Sequence, residues 1–230
     1  MSTDVLPAAL RPSSLRAATR QLAARARRDA ARLVDDARIA QRLARVALDP
    51  DRPLMVHMVV TKRCNLACGY CTEYDKVSQP VPTETLFRQI DKVADLGGLF
   101  ITFTGGEPLL HPHIADVIRY ARARGLVPAM NSNVYLLTAR MITALNDAGL
   151  YALQISIDNV RPNAVTKKSL LPLMPKLKLL AEHAQFRVRV NTVLGSSAPD
   201  EAWIVANTVT ELGFEAKCSL ARNPDGTIAE

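Results

Sequence analysis

Three of the four cysteines in this 230-residue chain stand within eight residues, in the stretch TKRCNLACGYC at 61–71. Thiols gathered this densely serve as metal ligands or pair as disulfides, and in a reducing compartment the first use prevails. The spacing C-x3-C-x2-C puts Cys64, Cys68 and Cys71 at i, i+4 and i+7. On a helix those positions would be one face burying three small thiols. Gly69 and the apolar run before Cys64 favour a loop at the end of a strand instead. A zinc site completed by His111 or His113 is one candidate, although structural zinc usually draws on two C-x2-C pairs. A 4Fe–4S cluster is the other. Held by three thiolates, it leaves one iron open to an external ligand.

The other chemically able residues follow short apolar runs. Gly105, Gly106 and Glu107 open GGEP at 105–108, Asn131, Ser132 and Asn133 form NSN, and Ser156, Asp158 and Asn191 close later runs. The runs themselves are rich in β-branched and aromatic residues at 55–60, 99–104, 126–130, 150–157, 186–194 and 214–220. Helical patterns lie between them and stop at Gly97, Gly125, Gly149 and Gly213. Thr138 reads as an N-cap, and the helix predicted over about 166–184 is interrupted by Pro172 and Pro175.

Strands alternating with helices imply right-handed βαβ units and a parallel sheet. The expected fold is α/β, a partial (β/α)6 TIM-like barrel, over residues 51–230, ending soon after strand six, either because the architecture stops early or because the sequence is a fragment of a longer protein. In such folds ligands sit beyond the C-terminal ends of the strands. The cysteines and the polar residues named above all fall there.

C-x3-C-x2-C with an aromatic residue before the last cysteine, followed by TGGEPLLHP, resembles the radical S-adenosylmethionine (radical SAM) superfamily over about residues 55–220. The resemblance implies that Cys64, Cys68 and Cys71 ligate a 4Fe–4S cluster whose fourth iron chelates the methionyl group of S-adenosylmethionine. Gly105 and Gly106 would allow close backbone approach, and Glu107 would accept from the amino group. Tyr70 would lie against adenine. Ser156 and Asp158 match positions that hold the carboxylate and ribose; Asn131, Ser132, Asn133 and Asn191 match further cofactor positions. For Ser132 and Asn191, local hydrogen bonding competes with that role. The implied reaction is reductive cleavage to methionine and a 5′-deoxyadenosyl radical acting on a peptide, an isoprenoid lipid or a small-molecule precursor. An electron donor such as flavodoxin or ferredoxin is implied with it. The competing function is a zinc-stabilised α/β binding module.

Two departures from the family pattern stand out. Many relatives have an Asp-Gly turn and then His-Asp-x-x-Arg-Gly, whereas SIDNVRPNAVTKKSLLP here has Asn159 for the glycine and no matching arginine. Asn tolerates the left-handed turn, and Lys167 or Lys168 stands nearest to replace the charge. Cys218 is the one remaining cysteine, too few for an auxiliary cluster within these residues. It is expected on strand six, either facing the cavity as a ligand or hydrogen donor or buried as a small hydrophobe.

The net charge of +7 is unevenly spread. Residues 1–50 hold ten arginines against five aspartates, and the remaining 180 hold 19 basic against 17 acidic residues. This N-terminal arm carries no aromatic residue to stack on bases, so nucleic acid is not expected as a partner. Leu15, Leu22, Leu33, Ile39, Leu43 and Val46 recur at roughly helical spacing before DPDRP breaks the chain. The arm is expected to be helical, solvated or in peripheral contact with an acidic membrane surface. With no secretory signal, the expected location is cytoplasmic.

Overall fold

The structure is a computed structural model, describing residues 26, 33, 35–37, 39–44, 49, 51–69, 71, 74–194 and 198–220. Six strands form one sheet: β1 (Met55–Thr61), β2 (Phe100–Gly105), β3 (Val127–Ser132), β4 (Ala152–Ser156), β5 (Arg187–Leu194) and β6 (Glu215–Leu220). Every neighbouring pair is parallel and the spatial order equals the chain order. Five helices cross between them: α1 (Thr83–Asp95), α2 (Ile114–Ala123), α3 (Ala139–Asp147), α4 (Leu170–His183) and α5 (Pro199–Glu211). This is the partial α/β barrel expected from the sequence, with strand bounds within two residues of the apolar runs.

Alternation along the strands separates the two faces. Met58, Val60, Ile101, Phe103, Leu153 and Val190 turn outward and are buried with Leu86, Ile90, Val117 and Leu177 of the helices. The inward face carries Thr104, Asn131, Gln154 and Ser156 near its C-terminal end. Four helices close with a backbone N–H reaching back five residues, Gly98 to Val93, Leu126 to Ala121, Leu150 to Leu145 and Phe214 to Val209. The glycine at each end takes the left-handed turn that closure needs. Thr138 caps α3 by accepting from the Met141 amide at 3.2 Å. Helix α4 does not break as predicted. Pro172 sits in its first turn, where no intrahelical N–H is required, and Pro175 is carried inside.

The described part of the arm is not free. Residues 39–44 are helical and lie at the N-terminal ends of the strands, where Ile39 is buried against Leu99 and Val127. Asp35 pairs with Arg122, and Asp36 pairs with Arg187 and accepts from the Tyr151 hydroxyl at 3.1 Å. Arg42 donates to the Gly125 and Gly98 carbonyls, the groups left over at two helix ends. Over this stretch the helix keeps a solvated face, with Leu33 and Leu43 exposed, while Ile39, Asp35, Asp36 and Arg42 dock on the barrel's underside, a contact the sequence reading did not include. Most of residues 1–32, on which the membrane-surface expectation also rests, lie outside the described residues. No helix among those described is long and apolar enough to cross a membrane.

Candidate active site

At the C-terminal ends of β1–β4 a cavity of about 200 Å3 is lined by Cys64, Cys68 and Cys71 together with Gly105, Gly106, Asn131, Ser132, Asn133 and Ser156. Nine residues singled out in the sequence thus converge on one space. Tyr70 lies outside the described residues. All three thiols are free. The loop carrying them is not helical, so the one-face reading fails. Its shape is imposed from several sides. The Cys64 amide donates to the Asp75 carbonyl at 3.1 Å and the Asp75 amide to the Lys62 carbonyl at 2.9 Å. The Lys76 ammonium reaches the Cys64 and Leu66 carbonyls at 2.8 and 2.6 Å. Gly69 donates to Val165 at 2.7 Å, fastening the loop to the segment after β4. Burial pushes the Cys64 thiol above its ordinary value, and the Leu66 amide, 3.4 Å from its sulfur, works against that shift.

The turn after β2 fits against this loop with no room to spare. A β-carbon on Gly105 would stand 2.0 Å from the Thr61 carbonyl oxygen, and one on Gly106 would stand 2.3 Å from that of Arg63. Gly105 also has φ +139°, a region closed to other residues. Beyond the glycines the Gly106 and Glu107 amides donate to Thr61 and Arg63 at 2.8 and 2.9 Å. The double glycine therefore first serves the chain itself, letting β2 lie on the backbone that leads into the cysteines.

Glu107 turns away from the cavity. Its side chain is fully buried and accepts from the Leu109 amide at 3.0 Å, the Ser132 hydroxyl at 2.7 Å and the Asn133 amide at 2.8 Å. This differs from the side-chain contact with an amino group expected above. The carboxylate here ties the end of β3 to the turn after β2, and what the turn offers the cavity is the backbone of Gly105 and Gly106. Burial still holds the carboxyl above its ordinary range, against the pull of those donors.

After β3, Ser132 accepts from Val134 at 2.9 Å, and Val134 takes φ +54° while fully buried, an unfavourable state for a β-branched residue. That bend aims Asn133 at the cysteine loop, where its amide donates to Asn65 at 2.8 Å and lies 3.8 Å from the Cys64 sulfur. Ser156 faces the cavity. Asp158 is fully buried instead, accepting from the Thr166 hydroxyl at 2.8 Å. Asn191 donates to Ser219 at 2.9 Å across to β6, the local strand-end bond. Cys218 is exposed and does not line the cavity, so both placements expected for it are corrected. It sits on the last strand with Lys217 and Leu220 also exposed.

Thr104, Gln154, Tyr74, Leu66 and Lys168 also line the cavity. Gln154 was findable, standing two residues before Ser156 on one face of one strand. Tyr74 and Leu66 carried no such signal, because irregular loops have no period.

The zinc alternative loses His111 as a ligand. His111 uses both ring nitrogens, one 2.9 Å from the Val81 carbonyl and the other accepting from the His113 amide at 3.2 Å. Among the described residues no three His, Cys, Asp or Glu side chains are gathered as a single-ion site. A cluster makes a different demand, taking each thiolate on its own iron. Three free thiols around one cavity beside exposed backbone fit that demand.

The family model of the radical SAM superfamily matches residues 58–202, from within β1 into α5. The chain belongs to the radical SAM superfamily. The cofactors of that family are S-adenosylmethionine and a 4Fe–4S cluster. Among curated relatives, the PqqA peptide cyclase of Bradyrhizobium diazoefficiens is 32% identical over 111 residues, 47% of this chain and 29% of that protein. The GTP 3′,8-cyclase of Chlorobaculum tepidum is 32% identical over 146 residues, 60% of this chain and 44% of that one. Among solved structures, Streptococcus suis SuiB bound to the precursor peptide SuiA superposes with a TM-score of 0.67 at 15% identity, over 83% of this chain and 45% of that one. This radical SAM domain thus spans less than half the length of these relatives. Nothing in these matches supports a binding module without radical chemistry.

Proposed function

We propose that this domain cleaves S-adenosylmethionine reductively on a 4Fe–4S cluster ligated by Cys64, Cys68 and Cys71. The supporting observation is that all three free thiols share one cavity with the Gly105–Gly106 backbone and the polar ends of β3 and β4. The bound cluster supplies the electron that converts the cofactor to methionine and a 5′-deoxyadenosyl radical. The chain's own part is placement. Gly105 and Gly106 present backbone to the methionyl group, while Asn131, Ser132, Asn133 and Ser156 offer hydrogen-bonding groups around it. Glu107 and Asp158 serve by holding the loops, as Asn191 does for the sheet edge, and Tyr70 remains assigned to adenine on the resemblance alone. Lys168, at the cavity, is the nearer of the two lysines for the cofactor's carboxylate.

The substrate class we propose is a peptide, supported by likeness to the PqqA peptide cyclase and to the fold of SuiB. The domain works in the cytoplasm with a flavodoxin- or ferredoxin-type donor, residues 1–50 forming an arm and 51–230 the core. Any membrane-surface contact belongs to the first part of the arm.

Anaerobic reconstitution tests the reading. A brown protein with about four irons per chain that forms 5′-deoxyadenosine under reductant supports it. A colourless protein holding only zinc sinks it. Cys68→Ala should abolish 5′-deoxyadenosine formation, and its persistence would refute the ligand assignment.

A further inference from the structure

The segment between β4 and α4 does more than border the cavity. Asn163 organises it by accepting from the Val165 and Thr166 amides at 2.9 and 2.7 Å. Val165 then offers its carbonyl to Gly69, between the second and third cysteines. Beside that bond Thr166 is fully buried. Its hydroxyl accepts from the Lys168 amide at 3.1 Å and stands 2.8 Å from an Asp158 carboxylate oxygen. The same hydroxyl is 3.9 Å from the sulfur of Cys68, itself 4% exposed. A hydroxyl has a single proton to give. The carboxylate at 2.8 Å takes the larger part of that proton, and the sulfur at 3.9 Å has the weaker share.

Resting on the ligand assignment above, we propose that Thr166 is a positioning residue for Cys68. Held from behind by the Lys168 amide and by Asp158, its hydroxyl fixes where the sulfur sits and shares its proton with the thiolate. The loop after β4 thereby adjusts the electron affinity of the cluster. The direction follows from charge. A donor on a ligating sulfur disperses negative charge and favours the reduced cluster. The spacing of the cysteines gives no hint of this, because Thr166 lies 98 positions from Cys68.

The test is the midpoint potential of the reconstituted cluster, followed by EPR under anaerobic titration. Thr166→Val keeps the shape and removes the hydroxyl, and its potential should move in the negative direction. Thr166→Ser keeps the hydroxyl and should return the wild-type value. Asp158→Asn, which presents a donor to the Thr166 oxygen and frees its proton for sulfur, should move the potential the other way. Because that substitution also removes a negative charge, which alone raises the potential, the rise must be smaller in the double variant Asp158→Asn with Thr166→Ala than in Asp158→Asn to count for the proposal. Thr166→Ala also decides the matter if Thr166→Val does not fold. A purely structural threonine would lower thermal stability in Thr166→Val and leave the potential and the EPR signal where they were. Loaded variants indistinguishable from wild type in potential overturn the proposal while leaving the cluster assignment standing. A wild-type protein that takes up no cluster removes both.

Discussion

At Gly106 a methyl group has no place to go, because backbone oxygens of Lys62 and Arg63 would both lie within 2.4 Å of it. Backbone cannot swing aside as a side chain can, so Gly106→Ala must push β2 off the cysteine loop. We expect a loss of about 1–3 kcal/mol in urea unfolding, the range of overpacked sites, together with reduced iron uptake. Glu107 makes a different prediction. In Glu107→Gln the amide oxygen can still serve Leu109 and Ser132, but the amide nitrogen then meets the Asn133 N–H, donor against donor. An unmet buried pair of this kind costs about 1–3 kcal/mol. Its pH dependence has a defined sign. Burial raises the carboxyl above its ordinary value, so the folded chain holds this proton more tightly than the unfolded chain. The stability tied to it is full below the ordinary carboxylate range and is lost as pH rises through the raised value. Apo wild type should show that decline as pH rises above the ordinary carboxylate range in urea unfolding, and Glu107→Gln should lack it.

Among the elements, the arm helix and the β4–α4 segment hold opposite ends of the barrel. Ile39 is 8% exposed in a small cluster with Leu99 and Val127, so Ile39→Ala should cost about 2 kcal/mol, the low end for such truncations. Cysteine-end properties, iron content above all, should be unchanged in that variant; a fall in iron uptake would show that the two ends are coupled. The strands and helices were legible because their signals are local: alternating apolar residues on Met58–Val60 or Ile101–Phe103, and glycines that end helices. The docking of the arm was not legible because amphipathic spacing names a face to be covered and says nothing of what covers it; Asp35 and Asp36 find partners 87 and 151 positions away. In the candidate site the residue types were legible and their directions were not. Glu107 and Asp158 were read as reaching for a ligand, yet each accepts from protein donors, Glu107 from the end of β3 and its own turn and Asp158 from Thr166 of its own segment. Cys218 could not be placed, since the exposure of a last strand depends on what packs beside it.

For the whole molecule, the cavity is a joint product of four strand ends, and no single segment owns its shape. Glu107 joins β2 to β3, Asn133 joins β3 to the cysteine loop, and Thr166 with Val165 joins that loop to the segment after β4. Such a site should lose order cooperatively: in hydrogen exchange the amides of Gly69, Glu107 and Asn133 are expected to open together, and independent opening would contradict the linkage. The Gly69–Val165 bond also sets a timetable for biosynthesis. The cysteines leave the ribosome early, but the carbonyl that fastens their loop is made almost a hundred residues later. Until then the loop has its ties to Asp75 and Lys76 but lacks the one beside Cys68 and Cys71. Delivery of iron and sulfide is therefore best timed to the chain that has already passed residue 166.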